Sequence, residues 1–480
     1  MTEYQQLLDE IFRRFPSVQN VPFGEAYKPG LDNMRSFDEA MGYPSRALRS
    51  VHVAGTNGKG SVANMLASAF SACGYKVGLY TSPHILDFRE RMRIGGEMVP
   101  REWVYDCLCR WKPYFDEHNL SFFEITTGMA FKWFAESKVD VAVVEVGLGG
   151  RLDSTNIITP EAAVVTSIGL DHCAQLGNTR AAIAGEKAVI FKPGVPAVVG
   201  TRDAETAPVF EAAADAADCP LIFASGGQGD CSAFSSAFAK CSTIPLSSSS
   251  SESGTGRIEQ LLKEMDLQGE WQAENLRTVL TVLAVLGVEP SEEVLHAIAH
   301  TAGRMDFHGR WEMLQRDPDV LCDIGHNPPA LARNFAQLQE YLRTGLYDRL
   351  IIVYGVMADK DLDGIIPLMP SDAEYIAVAP DTPRSLKADL LFEKLSAAFP
   401  GKIIFGGSVA DGLEVAFKLA VGPSAAICYS AQKRHADPFR ANAAEDPQPI
   451  RNHGKSLIYI GGSTFVVSEA VAALGKVQTT

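Results

Sequence analysis

The sequence predicts an α/β protein in which a doubly wound, mostly parallel sheet is followed by a smaller Rossmann-like α/β domain. Three observations predict this fold class. Between residues 51 and about 200, short apolar runs rich in Val and Ile alternate with helical patterns. A glycine-rich loop joins the first apolar run to a helix, as in α/β folds that bind anions. The alternation of strands and helices starts again near residue 305.

These patterns also set the expected domain boundaries. We expect the first domain to span residues 1–303 and the second to span residues 304–480. Two stretches interrupt the pattern. The first, at about 225–256, is rich in Ser, Gly and Ala, and the second, at about 430–454, is polar and irregular. Such compositions are typical of surface loops, and we assign neither loop a chemical role.

The glycine-rich loop lies in residues 51–61, which read VHVAGTNGKGS. Three glycines surround Lys59, and apolar residues at helical spacing follow from Val62. Backbone N–H groups and a helix N-terminus attract anions, and a lysine in such a loop reaches terminal phosphates. The loop departs from a strict Walker A pattern, which needs glycine at Val53 and Ser or Thr at Gly60. It predicts a nucleoside triphosphate site, with an ordinary strand-to-helix turn as the alternative.

Polar residues follow three further strands of the predicted sheet. Ser82 and His84 follow the second strand, Glu145 lies near the end of the run at 139–146, and His172 follows the next one. Ligands of parallel α/β sheets bind outside the carboxyl ends of the strands. A lone carboxylate in an apolar strand is costly unless it is paired or bound to a metal. Glu145 therefore either serves a cation or reaches solvent.

An arginine-rich segment lies at residues 88–93, where three of six residues are arginines. Runs of charge are usually solvated faces of a protein. We predict a solvated face here as well.

Composition excludes several classes of function. The chain has 480 residues, a net charge of −15 and a pI near 5.2, which argue against nonspecific binding to nucleic acid or to an anionic membrane. An anionic small substrate is still compatible with a locally positive pocket. Nine cysteines without a C-x-x-C pair favour reduced thiols. The absence of a signal-like N-terminus and of a long apolar run predicts a cytoplasmic protein.

Eight motifs follow one another along the chain, at residues 55–61, 81–84, 145–153, 169–172, 186–187, 309–310, 323–328 and 359–361. Together they resemble those of the Mur ligase superfamily, and within it the folate branch, the dihydrofolate synthases and folylpolyglutamate synthases. The resemblance extends over roughly residues 23–468 and leaves out the two polar loops. It implies a central-type Mur ligase domain followed by a glutamate ligase domain.

The resemblance implies an ATP-dependent ligase that adds L-glutamate to dihydropteroate, to reduced folates or to both. It further implies an acyl-phosphate intermediate, two Mg²⁺ ions and a monomer that binds small molecules, without nucleic acid or membrane. The ATP ligands would be Thr56, Asn57, Gly58, Lys59, Gly60, Ser61, Asn275, Arg310, Asp323 and His326, with Arg310 and Asp323 reaching across from the second domain. The metal ligands would be Ser82, Glu145 and His172.

Two further sets are implied in the same way. Lys187 would be carbamylated (N6-carboxylysine) and would act with Lys59, Glu145 and His172 in catalysis. The substrate would be bound by Lys28, Pro29, Gly30, Leu31, Phe122, Phe123, Glu124, Leu152, Asp153 and Ser154. Aromatic rings and carboxylates suit a flat heterocycle with amide-like donors. For one of Phe122 and Phe123, simple core packing is a fair alternative.

The chain departs from the family pattern at two places. Trp271 stands where the family often has His, and Ile324-Gly325 replaces the more usual Gly-Ala. Neither change removes an implied ligand, although both leave the geometry of the nucleotide pocket open. Two other functions stay open at this point: a ligase that extends a UDP-linked sugar peptide, and a nucleotide-binding regulator without catalysis. The segment at 122–124 argues against the first, and the intact Lys59, Glu145 and His172 argue against the second.

Overall fold

The computed structural model describes residues 2–15, 30–225, 252–421 and 455–475. The chain separates into two compact units, Met1–His308 and Gly309–Thr480. Lys28, Pro29 and the loop expected at 430–454 lie outside the described residues. The loop expected at 225–256 is too long, because a helix already begins at Glu252.

The first unit holds an eight-stranded sheet with the strand order β4-β3-β2-β5-β1-β6-β7-β8. Its strands are β1 Ser50–Ala54, β2 Val77–Tyr80, β3 Met92–Ile94, β4 Glu97–Met98, β5 Val141–Glu145, β6 Ala162–Val165, β7 Ala197–Val199 and β8 Leu221–Phe223. Six neighbouring strands, in the order β2-β5-β1-β6-β7-β8, pair in parallel. Strands β3 and β4 add an antiparallel hairpin at one edge. This confirms the predicted mostly parallel sheet.

Helices cover both faces of this sheet. They are α1 Glu3–Arg14, α2 Asp32–Ala40, α3 Lys59–Ala72, α4 Arg101–Glu117, α5 Phe122–Glu136, α6 Cys173–Leu176, α7 Arg180–Ala188, α8 Ala207–Ala217, α9 Glu252–Glu264, α10 Gln272–Val285, α11 Glu292–Ala299 and α12 Thr301–Met305. One core lies between the sheet and α3, α10 and α11, and a second, rich in aromatic rings, lies between the sheet and α5. Burial on both faces explains why the central strands are mostly apolar rather than alternating between apolar and polar residues.

Strand β1 occupies the middle of the sheet between β5 and β6. All five of its residues are buried, and one of them is the polar His52. Because β1, β5 and β6 run in parallel, their carboxyl ends lie at the same edge. This edge carries the glycine-rich loop, Glu145 and the segment that leads to His172.

The second unit holds a six-stranded sheet with the order β13-β12-β11-β14-β10-β9. Its strands are β9 Glu312–Gln315, β10 Asp319–Cys322, β11 Arg349–Tyr354, β12 Glu374–Ala379, β13 Ile403–Ser408 and β14 Ser456–Gly461. Among these described strands, only β9 pairs antiparallel. Its helices are α13 Pro328–Arg343, α14 Leu362–Ile365, α15 Ala388–Ala398, α16 Val409–Val421 and α17 Thr464–Ala473.

Two further features concern the helices and the cysteines of the described residues. Within the described ranges, no helix combines the length and apolarity needed to cross a bilayer. The six cysteines inside those ranges are all free thiols, as predicted.

Candidate active site

Two glycines of the 55–61 loop are required by their surroundings. Gly55 and Gly58 have φ values of +144° and +86°, which side chains rarely adopt. A Cβ at Gly55 would overlap the Thr166 hydroxyl, and one at Gly58 would overlap the Asn275 side chain. Gly58 is the residue before α3, so the loop's strained turn leads directly into that helix. The loop therefore keeps backbone atoms exposed where an anion would approach the helix N-terminus.

The loop is anchored to the segment that follows β6. The hydroxyls of Thr166 and Ser167 donate to the carbonyl oxygen of Asn57 at 2.6 and 3.0 Å. The N–H of Thr56 donates to the Ser167 carbonyl at 2.7 Å, and the Thr56 hydroxyl accepts from the N–H of Gly169 at 3.0 Å. These bonds fix the loop before any ligand binds, which is the kind of preorganisation that phosphoryl transfer needs.

Lys59 extends over its own loop. Its Nζ donates to the carbonyl oxygen of Thr56 at 3.1 Å. Gly60 and Ser61 are buried in the first turn of α3. Gly60 has no side chain and the Ser61 side chain is buried, so this turn offers an anion its backbone and the Lys59 ammonium.

Asn275 is buried beside the loop, in the first turn of α10. Its Nδ2 donates to Oε1 of Gln272 at 2.8 Å, which leaves its Oδ1 facing Gly58. Gln272 is only 1% exposed, and its own Nε2 has no hydrogen-bond partner among the described residues. Sequence reasoning assigned no role to Gln272, although its position three residues before Asn275 places both on one helix face.

Glu145 ends β5 and is 3% exposed. Its Oε2 accepts a hydrogen bond from the N–H of Ser82 at 2.9 Å, so the ends of β5 and β2 meet at this carboxylate. The structure thus brings together two of the three predicted metal ligands. The third, His172, has φ +50° before α6, and its Nε2 lies 3.9 Å from Oδ2 of Asp171.

Lys187 is 4% exposed in α7. Burial and the nearby Lys59 ammonium lower the pKa of Lys187 to about 7, against the opposing effect of the carboxylates of Asp171 and Asp153. The amine is therefore half neutral at pH 7, which is the nucleophilic form of a lysine. Lys187 is therefore not a surface lysine.

The predicted aromatic segment begins α5. Phe122 is 3% exposed and packs against Phe12 and Phe88 in the aromatic core. Phe123 is partly exposed, and its ring lies so close to Gly147 that a Cβ there would overlap it. Core packing therefore accounts for Phe122, whereas Phe123 is the ring that borders the loop after Glu145.

Glu124 has a structural partner of its own. Its Oε2 accepts from the N–H of Ser121 at 2.6 Å, while its own N–H donates to the Ser121 hydroxyl at 3.2 Å. This reciprocal capping box stabilises the start of α5.

The other predicted substrate residues that the structure describes lie in two places. Gly30 and Leu31 precede α2, and Gly30 has φ +136° with open space around it. Leu152 is partly exposed, whereas Asp153 and Ser154 are buried at the end of the 147–155 loop. The direction of the Asp153 side chain is set by hydrogen bonds that it accepts from N–H groups of that loop.

The arginine-rich segment at 88–93 is not a solvated face, and this prediction was wrong. Arg91 and Arg93 are each 3% exposed. Nε of Arg91 donates to Nδ1 of His84 at 2.9 Å, and its guanidinium lies 5.2 Å from the centre of the Phe122 ring. Burial, followed by the Arg91 charge, lowers the pKa of His84 to about 3, so the imidazole is neutral. The pattern of charges along the sequence does not show that His84 and the Phe122 ring lie next to Arg91 in the fold.

In the second unit, Asp323 follows β10 and is 4% exposed. It accepts from the N–H of Gly325 at 2.7 Å, from the N–H of Trp311 at 3.0 Å and from Nδ2 of Asn334 at 2.8 Å. Burial raises the pKa of Asp323 above its ordinary value. Arg310 and His326 lie in the adjoining backbone turns: Arg310 Nη1 donates to the Gly309 carbonyl at 3.3 Å, and His326 Nδ1 is 3.1 Å from the Ile324 carbonyl.

The donor set can be tested against Mg²⁺. No group of three His, Cys, Asp or Glu side chains that could hold a metal occurs in residues 2–15, 30–225, 252–421 or 455–475. Magnesium is usually held by one or two carboxylates together with water and phosphate oxygens. A single buried carboxylate beside a serine, at the edge that carries the glycine loop, fits that ion and does not fit a closed zinc site.

Comparisons with known proteins agree with this geometry. The Mur ligase middle domain matches residues 53–283, and the Mur ligase glutamate ligase domain matches residues 309–432. The dihydrofolate synthase/folylpolyglutamate synthase of Haemophilus influenzae is 30% identical over 419 residues, which cover 82% of this chain and 90% of that protein. The chain belongs to the dihydrofolate synthase/folylpolyglutamate synthase family of Mur-type ligases. The predicted family and the predicted class of enzyme are thereby confirmed.

Two more similarities define the extent of the match. A Haloferax volcanii protein named "Probable bifunctional folylpolyglutamate synthase/dihydropteroate synthase" is 33% identical over 453 residues, and this ligase spans 48% of its length. The crystal structure of Mycobacterium tuberculosis folylpolyglutamate synthase with ADP and AMPPCP has a TM-score of 0.75 at 26% identity, and the match covers 98% of this chain and 99% of that one. The fold class predicted for the ligase is confirmed over both units.

Proposed function

We propose that this ligase uses ATP to join L-glutamate to dihydropteroate, to a reduced folate or to both. The observation that carries the proposal is the shared edge of β1, β2 and β5. There the anchored glycine loop and Lys59 lie at the same sheet edge as Glu145 and Ser82, which supports a phosphate site and a cation site at that edge. Family membership favours glutamate as the amino acid and a pterin as its acceptor.

The reaction proceeds in two displacements. A carboxylate oxygen of the pterin substrate attacks the γ-phosphorus of ATP, the bond to the β,γ-bridging oxygen breaks, and ADP leaves. The neutral amine of glutamate then attacks the acyl carbon, the bond to the phosphate oxygen breaks, and inorganic phosphate leaves as the nitrogen loses a proton. Both steps depend mainly on positioning and charge neutralisation.

The residues of the chain serve these needs as follows. The backbone of Thr56 to Ser61 and the Lys59 ammonium hold the triphosphate, and Asn275 fixes the nucleotide from the adjoining helix. Ser82 and Glu145 would hold one Mg²⁺ and His172 a second, and Mg²⁺ bound there would supply neutralisation of the phosphate charge. Arg310, Asp323 and His326 of the second unit are the further ATP ligands of the proposal. Phe123 stacks on the pterin.

Lys187 is the residue that carbon dioxide would modify. A neutral buried amine adds to CO₂ and loses a proton, which forms a carbamate anion from a former cation. The lowered pKa of Lys187 and the neighbouring Lys59 ammonium both favour this change, because an anion there pairs with Lys59. The carbamate would support the cation near His172.

The test measures phosphate release with ATP, Mg²⁺, L-glutamate and either dihydropteroate or tetrahydrofolate. Release is expected only when glutamate and a pterin are both present, and the two-pterin comparison identifies which step the enzyme performs. Lys59→Met should abolish release, whereas Lys263→Met, at an exposed lysine of α9, should not change it. Absence of glutamate-dependent release with both pterins would refute the proposed function.

A further inference from the structure

A buried histidine connects the strand of the glycine loop to the loop that follows Glu145. His52 is fully buried in the middle of β1, and its Nε2 lies 2.8 Å from the hydroxyl of Thr155, 103 residues along the chain. Thr155 in turn contacts Asp153 through its hydroxyl and, at 3.0 Å, through its N–H. A polar chain of this kind inside an apolar strand layer is costly unless every bond in it is made.

The direction of each hydrogen bond follows from chemistry. Asp153 accepts from the N–H groups of Leu148 and Thr155, so its carboxylate acts as the acceptor. The single hydroxyl proton of Thr155 is therefore donated to Oδ1 of Asp153. The Thr155 oxygen is left to accept, and His52 must carry its proton on Nε2. Nδ1 of His52 has no hydrogen-bond partner among the described residues, so the Thr155 contact fixes the tautomer.

Asp153 is the carboxylate of the 147–155 loop, which follows Glu145 at the end of β5. Its two oxygens bind both ends of that loop, since Oδ2 accepts from Leu148 at 2.8 Å and Oδ1 accepts from Thr155. The middle of the loop is held by α7, because the N–H of Arg151 donates to the Glu186 carbonyl at 3.0 Å. The loop conformation thus depends on where the Asp153 carboxylate points.

We propose that His52 and Thr155 are positioning residues that orient Asp153, and with it the 147–155 loop, for the pterin substrate. The inference rests on the proposed function, in which this loop borders the pterin. It assigns a role in substrate binding to two fully buried residues. His52 also belongs to β1, the strand that precedes the phosphate loop. The hydrogen bonds from His52 through Thr155 to Asp153 therefore connect the proposed pterin site to the strand that positions the ATP site.

The burial of His52 supports this role. Burial, followed by the charge of Lys192, lowers the pKa of His52 to about 3, so the ring keeps one proton throughout the working pH range. A neutral imidazole whose single N–H is donated to Thr155 holds that hydroxyl in place and does not act as an acid or a base.

The experiment compares KM values for pterin and for ATP in matched variants. Thr155→Val keeps the shape but removes the hydroxyl, and His52→Leu removes the donor. Each should raise KM for the pterin at least tenfold while KM for ATP changes less than twofold. The double variant should be no worse than either single one. Thr155→Ser keeps the hydroxyl, and His52→Gln keeps a terminal N–H. The KM for the pterin in each of these variants should therefore stay within about threefold of the wild-type value.

Thr281→Val is the control for loss of a buried hydroxyl, because that hydroxyl bonds only its own helix, to the Arg277 carbonyl at 2.8 Å. Unchanged pterin KM in Thr155→Val, or equal rises in the KM values for pterin and ATP, would overturn the inference. If Thr155→Val does not fold, His52→Leu and His52→Gln decide, and equal pterin KM in these two overturns it. A wild-type enzyme that turns over neither pterin refutes the proposed function instead.

Discussion

The buried amine of Lys187 makes the stability of the protein depend on pH in a calculable way. Burial and the Lys59 ammonium lower the pKa of Lys187 from 10.5 to about 7 in the folded protein. Between these values the unfolded chain binds more protons than the folded one, so this lysine disfavours folding, and stability rises with pH. One pKa unit corresponds to about 1.4 kcal/mol, so its cost is about 4 kcal/mol at pH 7 and falls to about 1.4 kcal/mol at pH 9.5.

Lys187→Met removes the titrating group and keeps an unbranched apolar side chain in the same space. The free energy of unfolding of the wild type relative to Lys187→Met should therefore improve by about 3 kcal/mol between pH 7 and pH 9.5. Urea denaturation of both proteins at each pH measures this difference, in CO₂-free buffer without metal or nucleotide. Titrating groups that do not interact with Lys187, and the second unit, are common to both proteins and cancel.

Lys263→Met, at an exposed lysine, serves as the control for removal of one positive charge. A wild-type-minus-variant difference that is the same at pH 7 and pH 9.5 would refute the reasoning. It would mean that the amine stays charged inside the fold, and a neutral nucleophile for carbamylation would then be missing at neutral pH.

Three further substitutions test the site. Gly58→Ala should raise KM for ATP at least tenfold, because the new Cβ overlaps Asn275; Gly74→Ala, at φ +84° in open space, should not change that KM in steady-state assays. Glu145→Gln still accepts the Ser82 N–H but lacks the charge, so kcat should fall on the order of 10²–10³-fold with an unchanged unfolding midpoint, and an unaltered Mg²⁺ dependence would contradict this. Asp323→Asn places an amide among three N–H donors and should lower the free energy of unfolding of the second unit by ~2–3 kcal/mol, measured by urea denaturation. The same change at the exposed Asp372 is the control. Equal unfolding midpoints for Asp323→Asn and the wild type would contradict the role of Asp323.

Much of the first unit could be predicted from the chain alone. The buried run before Gly55, the turn through Gly58 and the helix after Lys59 are local features, and apolar periodicity with glycines at special φ values reports such features directly. Placing polar residues at strand ends also predicted that Ser82 and Glu145 share an edge, because parallel strands end on the same side.

The sequence by itself determined the α/β fold class, the phosphate loop and the set of motifs that identifies the family. Only the tertiary structure decided that Arg91 is buried against His84, that Lys187 lies beside Lys59, and that His52 reaches Thr155. The physical reason is that the surroundings of a polar side chain are set by residues far away in sequence. Periodicity shows which face of an element is buried, but it does not show which charge, ring or hydroxyl meets that face, and such partners decide pKa values and hydrogen-bond directions.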